Sequence, residues 1–123
     1  MVPAYKAVDV GLDRGMIGAY GQDDRVCAYT ALEAEMDVKE PFYTTVTILT
    51  DKEEIGSVGN TGLHSDYVLH YIETLAEMAG ADVKEVLTHS LCLSSDVNAA
   101  YDPTFASVYE SRNSSYAGKG CVL

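Results

Sequence analysis

The chain has 123 residues, 47% of them apolar and 22% charged, the make-up of one globular domain with one core. Its 19 acidic residues outnumber 8 basic ones, for a formal net charge of −11. That balance weighs against nucleic acid or an anionic membrane as a partner, since both are held by a basic face. It leaves two readings, a solvated acidic surface or carboxylates neutralised by bound cations.

Residues 4–10 (AYKAVDV) predict a short strand, and Gly11, Gly15, Gly18 and Gly21 then punctuate a loop. From Asp23 the spacing predicts a helix, with Val26, Tyr29, Leu32 and Met36 recurring every three or four residues. Asp23 and Asp24 suit its N-terminus, and Asp37 to Pro41 breaks the pattern. Residues 42–50 (FYTTVTILT) are β-branched and aromatic with period-two alternation, which predicts a strand. The loop 51–65 (DKEEIGSVGNTGLHS) follows. Ser65 is placed to cap a helix over 66–79, whose stripe is Val68, Ile72, Leu75, Ala76 and Ala79, and Gly80 ends it.

Asp82 and Glu85 read as a capping box for one more turn. Residues 86–94 (VLTHSLCLS) then predict a strand with Leu87, Leu91 and Leu93 on one face. Beyond it the sequence is polar and irregular, until GKGCVL at 118–123 reads as the entry to a further strand. Strands alternating with helices predict an α/β fold, a layered mixed sheet with helices on both faces. Cys27, Cys92 and Cys121 are sparse and odd in number, so reduced thiols in the cytoplasm are expected rather than a disulfide framework. No apolar stretch is long enough to span a membrane, and MVPAYKAVDV has no secretory core.

The chemistry concentrates at DKEEIGS, residues 51–57, where two glutamates directly follow an apolar strand. In open α/β sheets ligands gather beyond the carboxyl ends of strands. Asp96 follows the next expected strand, and Asp24 begins a helix after a glycine-rich turn. Three stretches thus deliver carboxylates toward what can be one place. Carboxylates brought to about 4 Å at an effective dielectric near 20 repel by roughly 4 kcal/mol per pair, so either some protonate or a divalent cation sits among them. Gly56, Gly59 and Gly62 lack the spacing of a phosphate or dinucleotide loop, and Ser57 has no nucleophile-elbow context.

DKEEIGSVGNTGLHS resembles the aspartyl aminopeptidase pattern in which a strand ends in Asp-x-Glu-Glu-(Val/Ile)-Gly-Ser. GQDDRVCAYTAL at 21–32 is similar to that family's Leu-Asp-Asn helix start, with Asp24 at the matching aspartate. CLSSDVNAAYDP at 92–103 resembles its Ser-Ala-Asp-Met-x-His-Ala-x-His-Pro segment, with Asp96 at the matching aspartate. The three occur in family order and cover nearly the whole chain.

The resemblance implies a zinc-exopeptidase-like fold, here the central part of a metallopeptidase catalytic domain over residues 1–123. It implies two divalent metal ions, zinc by default with cobalt or manganese able to substitute. Asp24 would bridge the two ions, Glu54 would ligate one and Asp96 the other. Glu53 would be the general base that takes a proton from the attacking water. The implied substrate is a peptide with a free N-terminus, and the implied assembly is a homo-oligomer of the full-length protein.

The departures are informative. Arg25 follows the bridging aspartate where the family commonly has Asn, and Asn98 and Tyr101 replace two histidines, which puts a preference for acidic N-terminal residues in doubt. The family's two histidine ligands have no counterpart, since His64, His70 and His89 lie in other contexts. The expectation is therefore an incomplete chain, inactive alone. The alternative is a noncatalytic acidic α/β interaction module derived from such an enzyme.

Overall fold

A computed structural model describes residues 1–123, which divide into two units, Met1–Thr30 with Ser95–Leu123, and Ala31–Ser94. The first unit opens on a hairpin. Strand β1 (Val8–Val10) pairs antiparallel with β2 (Met16–Gly18), Val8 opposite Gly18 and Val10 opposite Met16. Asp13 makes the turn, its Oδ1 accepting the Gly15 amide at 3.0 Å. The strand expected over 4–10 is thus confined to its last three residues, and the expected glycine loop contains the returning strand. Helix α1 (Gln22–Asp37) follows, fastened to β2 by Gln22 Nε2 donating to the Ile17 carbonyl at 2.6 Å.

After Ser95 this unit is irregular, as its polarity predicts. Its 3-10 turns, Pro103–Val108 and Ser111–Asn113, are started by Asp102 and Glu110 side chains that accept the Thr104 and Arg112 amides. A parallel bridge joins Ala100 to Ser115, and Tyr101 packs between Tyr109 and Tyr116 with ring centroids 5.5 and 5.3 Å away. Residues 118–123 form no strand.

The second unit holds α2 (Tyr67–Met78) and α3 (Val83–Thr88). The expected stripe is real: Val68, Ile72 and Leu75 are half-buried and Ala76 is buried, while Ala79 is exposed. Ser65 does not cap α2; Asp66 holds the cap position without a side-chain hydrogen bond. The C-terminus closes as Gly80 implies, in the left-handed region at φ 67, with Gly80 N donating to the Glu77 carbonyl and Ala81 N to that of Ala76.

Asp82 forms its half of the expected capping box, its Oδ1 accepting the Glu85 amide at 3.0 Å, while the Glu85 carboxylate lies 3.4 Å from His89 Nδ1. The cap has a consequence that alternation of leucines concealed. It commits the chain to helical i→i−4 bonds, Val86 N to the Asp82 carbonyl and His89 N to that of Glu85. Half-buried Val83 and Val86, three residues apart, accompany the packing of α3 on α2. The strand expected over 86–94 is therefore helix to Thr88 and irregular beyond.

The strand expected over 42–50 does not form either, since no neighbouring strand pairs with it. Its period-two character survives in the side chains: Thr45 and Thr47, two apart, both donate to the Glu35 carboxylate, at 2.6 and 3.1 Å. The one sheet within these residues is the two-stranded hairpin, not a layered mixed sheet with helices on both faces.

The chain exposes 11190 Å², where a folded monomer of its 13.3 kDa would expose roughly 6,400 Å². Leu12, Phe42, Leu91 and Leu93 are each about 90% exposed or more, and Ala76 is the one buried apolar side chain. Helices and caps are satisfied locally, whereas the apolar faces they carry remain uncovered.

Candidate metal centre

In the first unit Asp23 and Asp24 lie at the start of α1, where the backbone leaves helical geometry (Asp23 φ −84, ψ 111; Asp24 φ −112, ψ 20) and the bond between them is cis. Asp96 comes from the segment after Ser95 and takes the Val97 amide at 2.7 Å on Oδ1. One carboxylate oxygen from each of Asp23, Asp24 and Asp96 lies within 4.8 Å of the others, and all three residues are exposed.

No ion pair compensates the three charges. Arg25, next in sequence, turns away: its guanidinium lies 5.4 Å from the Tyr20 ring centroid and donates to the Tyr20 carbonyl at 3.4 Å. Three hard oxygen donors within 4.8 Å of one another fit the donor set of a divalent ion. Cys27, half-buried, sits beside them. The Ser95 hydroxyl pulls its thiol pKa down, but the Asp24 carboxylate, desolvation and the charges of Asp24 and Asp96 outweigh it, leaving the thiol above its ordinary value.

In the second unit Glu53 and Glu54 open a 3-10 turn, Glu53–Ile55. Side chains on such a turn are about 120° apart, so neighbouring glutamates point in different directions and can serve different roles. The turn is bracketed by left-handed residues, Lys52 at φ 65 and Gly56 at φ 90. The loop closes through Asp51 N to the Thr61 carbonyl, Ser57 N to the Lys52 carbonyl and His64 N to the Ser57 carbonyl. Hydrogen bonds from the Lys52 ammonium, then its amide, then Thr61 hold the Asp51 carboxyl below the usual carboxylate range.

Of the predicted residues, Asp24 and Asp96 come together in the first unit, and Glu53 and Glu54 adjoin each other in the second. Asp23, which the spacing marks only as a helix-start acid, joins the cluster. The doubled Asp-Asp was the available signal, but spacing alone does not say which of two neighbouring acids faces a ligand. The three histidines are elsewhere: His64 and His70 are exposed and His89 bonds along α3 to the Glu85 carbonyl.

A sequence profile described as "Aminopeptidase I zinc metalloprotease (M18)" matches residues 1–123. The "Probable M18 family aminopeptidase 1" of Clostridium acetobutylicum is 47% identical over 127 aligned residues, covering all of this chain and 27% of that protein. The "Vacuolar aminopeptidase 1" of Saccharomyces cerevisiae is 31% identical, with 80% of this chain matched to 22% of its own length. Among solved structures, aminopeptidase I from C. acetobutylicum superimposes with a TM-score of 0.85 at 48% identity, over 97% of this chain and 26% of the other. An M18 aminopeptidase from Thermotoga maritima gives 0.77 at 38% identity, over 94% and 26%. The chain thus spans about a quarter of the length of these relatives.

Proposed function

The chain belongs to the aminopeptidase I zinc metalloprotease family (M18), and on that footing we propose that it is the central part of a metallopeptidase catalytic domain that removes N-terminal residues from peptides. The carrying observation is the set of uncompensated carboxylates of Asp23, Asp24 and Asp96, with oxygens within 4.8 Å. Two zinc ions are the proposed cofactors, with cobalt or manganese as substitutes. Asp24, with Asp23 beside it, and Asp96 would hold the ions together with Glu54. Any histidine ligands that zinc adds to these carboxylates would come from outside these residues.

When bound, zinc supplies a Lewis acid that polarises the scissile carbonyl and lowers the pKa of a water. The remaining steps fall to the chain. Glu53, beside a ligating glutamate yet turned about 120° from it, takes the proton from the attacking water on a carboxylate oxygen. It then gives that proton to the leaving amine.

The uncovered apolar surface supports a larger domain. In it, residues 42–50 gain neighbouring strands, a layered mixed sheet forms with helices on both faces, and copies of the protein associate. No helix is long and apolar enough to cross a membrane, and three unpaired cysteines suit the cytoplasm.

The experiment is hydrolysis of aminoacyl-p-nitroanilides by the 123-residue chain and by a whole catalytic domain that carries it. The domain is expected to turn over substrate, to lose activity on chelation and to regain it with zinc, while the chain alone is inactive. A whole domain that binds no metal and cleaves nothing would favour a noncatalytic module instead.

A further inference from the structure

Nothing attached to the Glu53 and Glu54 side chains holds them: both residues are exposed and neither takes part in an ion pair. Their direction is set by the backbone of the Glu53–Ile55 turn, and that turn starts from a residue in an awkward conformation. Lys52 sits at φ 65, ψ 26, in the left-handed region that a residue with a Cβ disfavours. Its carbonyl is nonetheless the hub of the loop, accepting from both Ile55 N at 3.3 Å and Ser57 N at 2.8 Å.

The side chain is anchored on both sides of the loop base. Lys52 Nζ donates to Asp51 Oδ2 at 2.7 Å and to Thr61 Oγ1 at 2.8 Å, and Thr61 Oγ1 donates to the same Asp51 oxygen at 3.2 Å. The three groups form a closed ring across the base of the loop. The stem passes under Gly59, where an added Cβ would lie 3.6 Å from Lys52 Cδ. Asp51 and Thr61 are also joined through their backbones at 3.1 Å, so the ammonium spans a base already closed at its first residue.

We propose that Lys52 is a positioning residue: its ammonium, held between the Asp51 carboxylate and the Thr61 hydroxyl, fixes the left-handed start of the turn and thereby the directions of Glu53 and Glu54. The proposal rests on the reading of those two residues as general base and ligand. An exposed ion pair of this kind does little for stability; its effect is angular. Releasing φ at Lys52 swings both glutamates together, and displacement of a reacting group by about 1 Å costs up to about 100-fold in rate.

The test uses a whole catalytic domain that carries this segment and compares Lys52→Met, which keeps the stem, with Lys52→Arg, which keeps the charge. Lys52→Met is expected to lower kcat per zinc-loaded chain roughly 10- to 100-fold, with KM within about twofold and some loss of zinc because Glu54 turns with Glu53, and Lys52→Arg to recover most of both losses. Thr61→Val, which removes one hydroxyl, provides the same readout if Lys52→Met folds poorly, with a kcat fall of about 3- to 10-fold. The proposal is overturned if kcat per zinc-loaded chain stays within about twofold in Lys52→Met or, should that variant fail to fold, in Thr61→Val. It is equally overturned if Lys52→Arg is as slow as Lys52→Met. Glu53→Gln in the same domain separates the two readings: if it too is fully active, the assignment of the glutamates fails and not merely the role of Lys52.

Discussion

Replacing Glu53 with Gln in a whole catalytic domain is expected to lower kcat by roughly 10²- to 10⁴-fold while zinc content and KM stay close to wild type. Gln matches Glu in shape and keeps a hydrogen-bonding head, but it accepts no proton at neutral pH. The attacking water then has no base, and the leaving amine no proton donor. The neighbouring change, Glu54→Gln, is expected to differ in kind, because on the proposed reading it removes a charged ligand and lowers zinc content with activity. The contrast follows from the 3-10 turn over Glu53–Ile55, which sends adjacent side chains about 120° apart. Steady-state kinetics paired with metal analysis of both variants decides it. Equal zinc loss in the two, or full activity in Glu53→Gln, removes the division of labour.

Gly62→Ala is the second large effect. Gly62 is buried, and a Cβ there would stand 2.1 Å from the Ser57 carbonyl oxygen, 2.4 Å from its carbon and 2.7 Å from the Val58 oxygen. All three are backbone atoms, so no side chain can step aside. The Ser57 carbonyl also receives the His64 amide at 3.1 Å, and the Lys52 carbonyl receives that of Ser57 at 2.8 Å. Displacing Ser57 therefore reaches the turn that carries Glu53 and Glu54. A cost of about 1–3 kcal/mol is expected, with kcat lowered on the order of 100-fold. Gly56→Ala is the control: nothing lies within 4 Å of the added carbon, leaving only the strain of a positive φ, about 1–2 kcal/mol. Amide exchange across residues 51–65 and kcat separate the two, and equal loss of protection at Ser57 and His64 in both variants would mean that the close approach at Gly62 is unimportant.

What the sequence made legible follows the range of the interactions. Helices α1 and α2, the Gly80 terminus and the Asp82 cap depend on neighbours within a few residues, and they appear where the spacing puts them. Strand assignments depend on partners. Residues 42–50 have the alternation of a strand, yet no strand pairs with them, and their threonines reach Glu35 instead. In residues 86–94 alternating leucines imitate a strand, while the Asp82 cap has already started α3.

The site divides in the same way. Asp24 and Asp96, identified by resemblance, do meet within one unit. Asp23 is not separable from Asp24 by sequence, because adjacent acids at a helix start look interchangeable in one dimension. The Lys52 ring was invisible too, since left-handed backbone at a lysine has no sequence signature.

The central claim is that the carboxylates of Asp23, Asp24 and Asp96 hold metal. It is tested most directly by counting zinc per chain in a whole catalytic domain carrying this segment, before and after Asp96→Ala. Two ions falling to one or fewer is the predicted result, and a zinc content that is zero in the parent or unchanged by the substitution would contradict it.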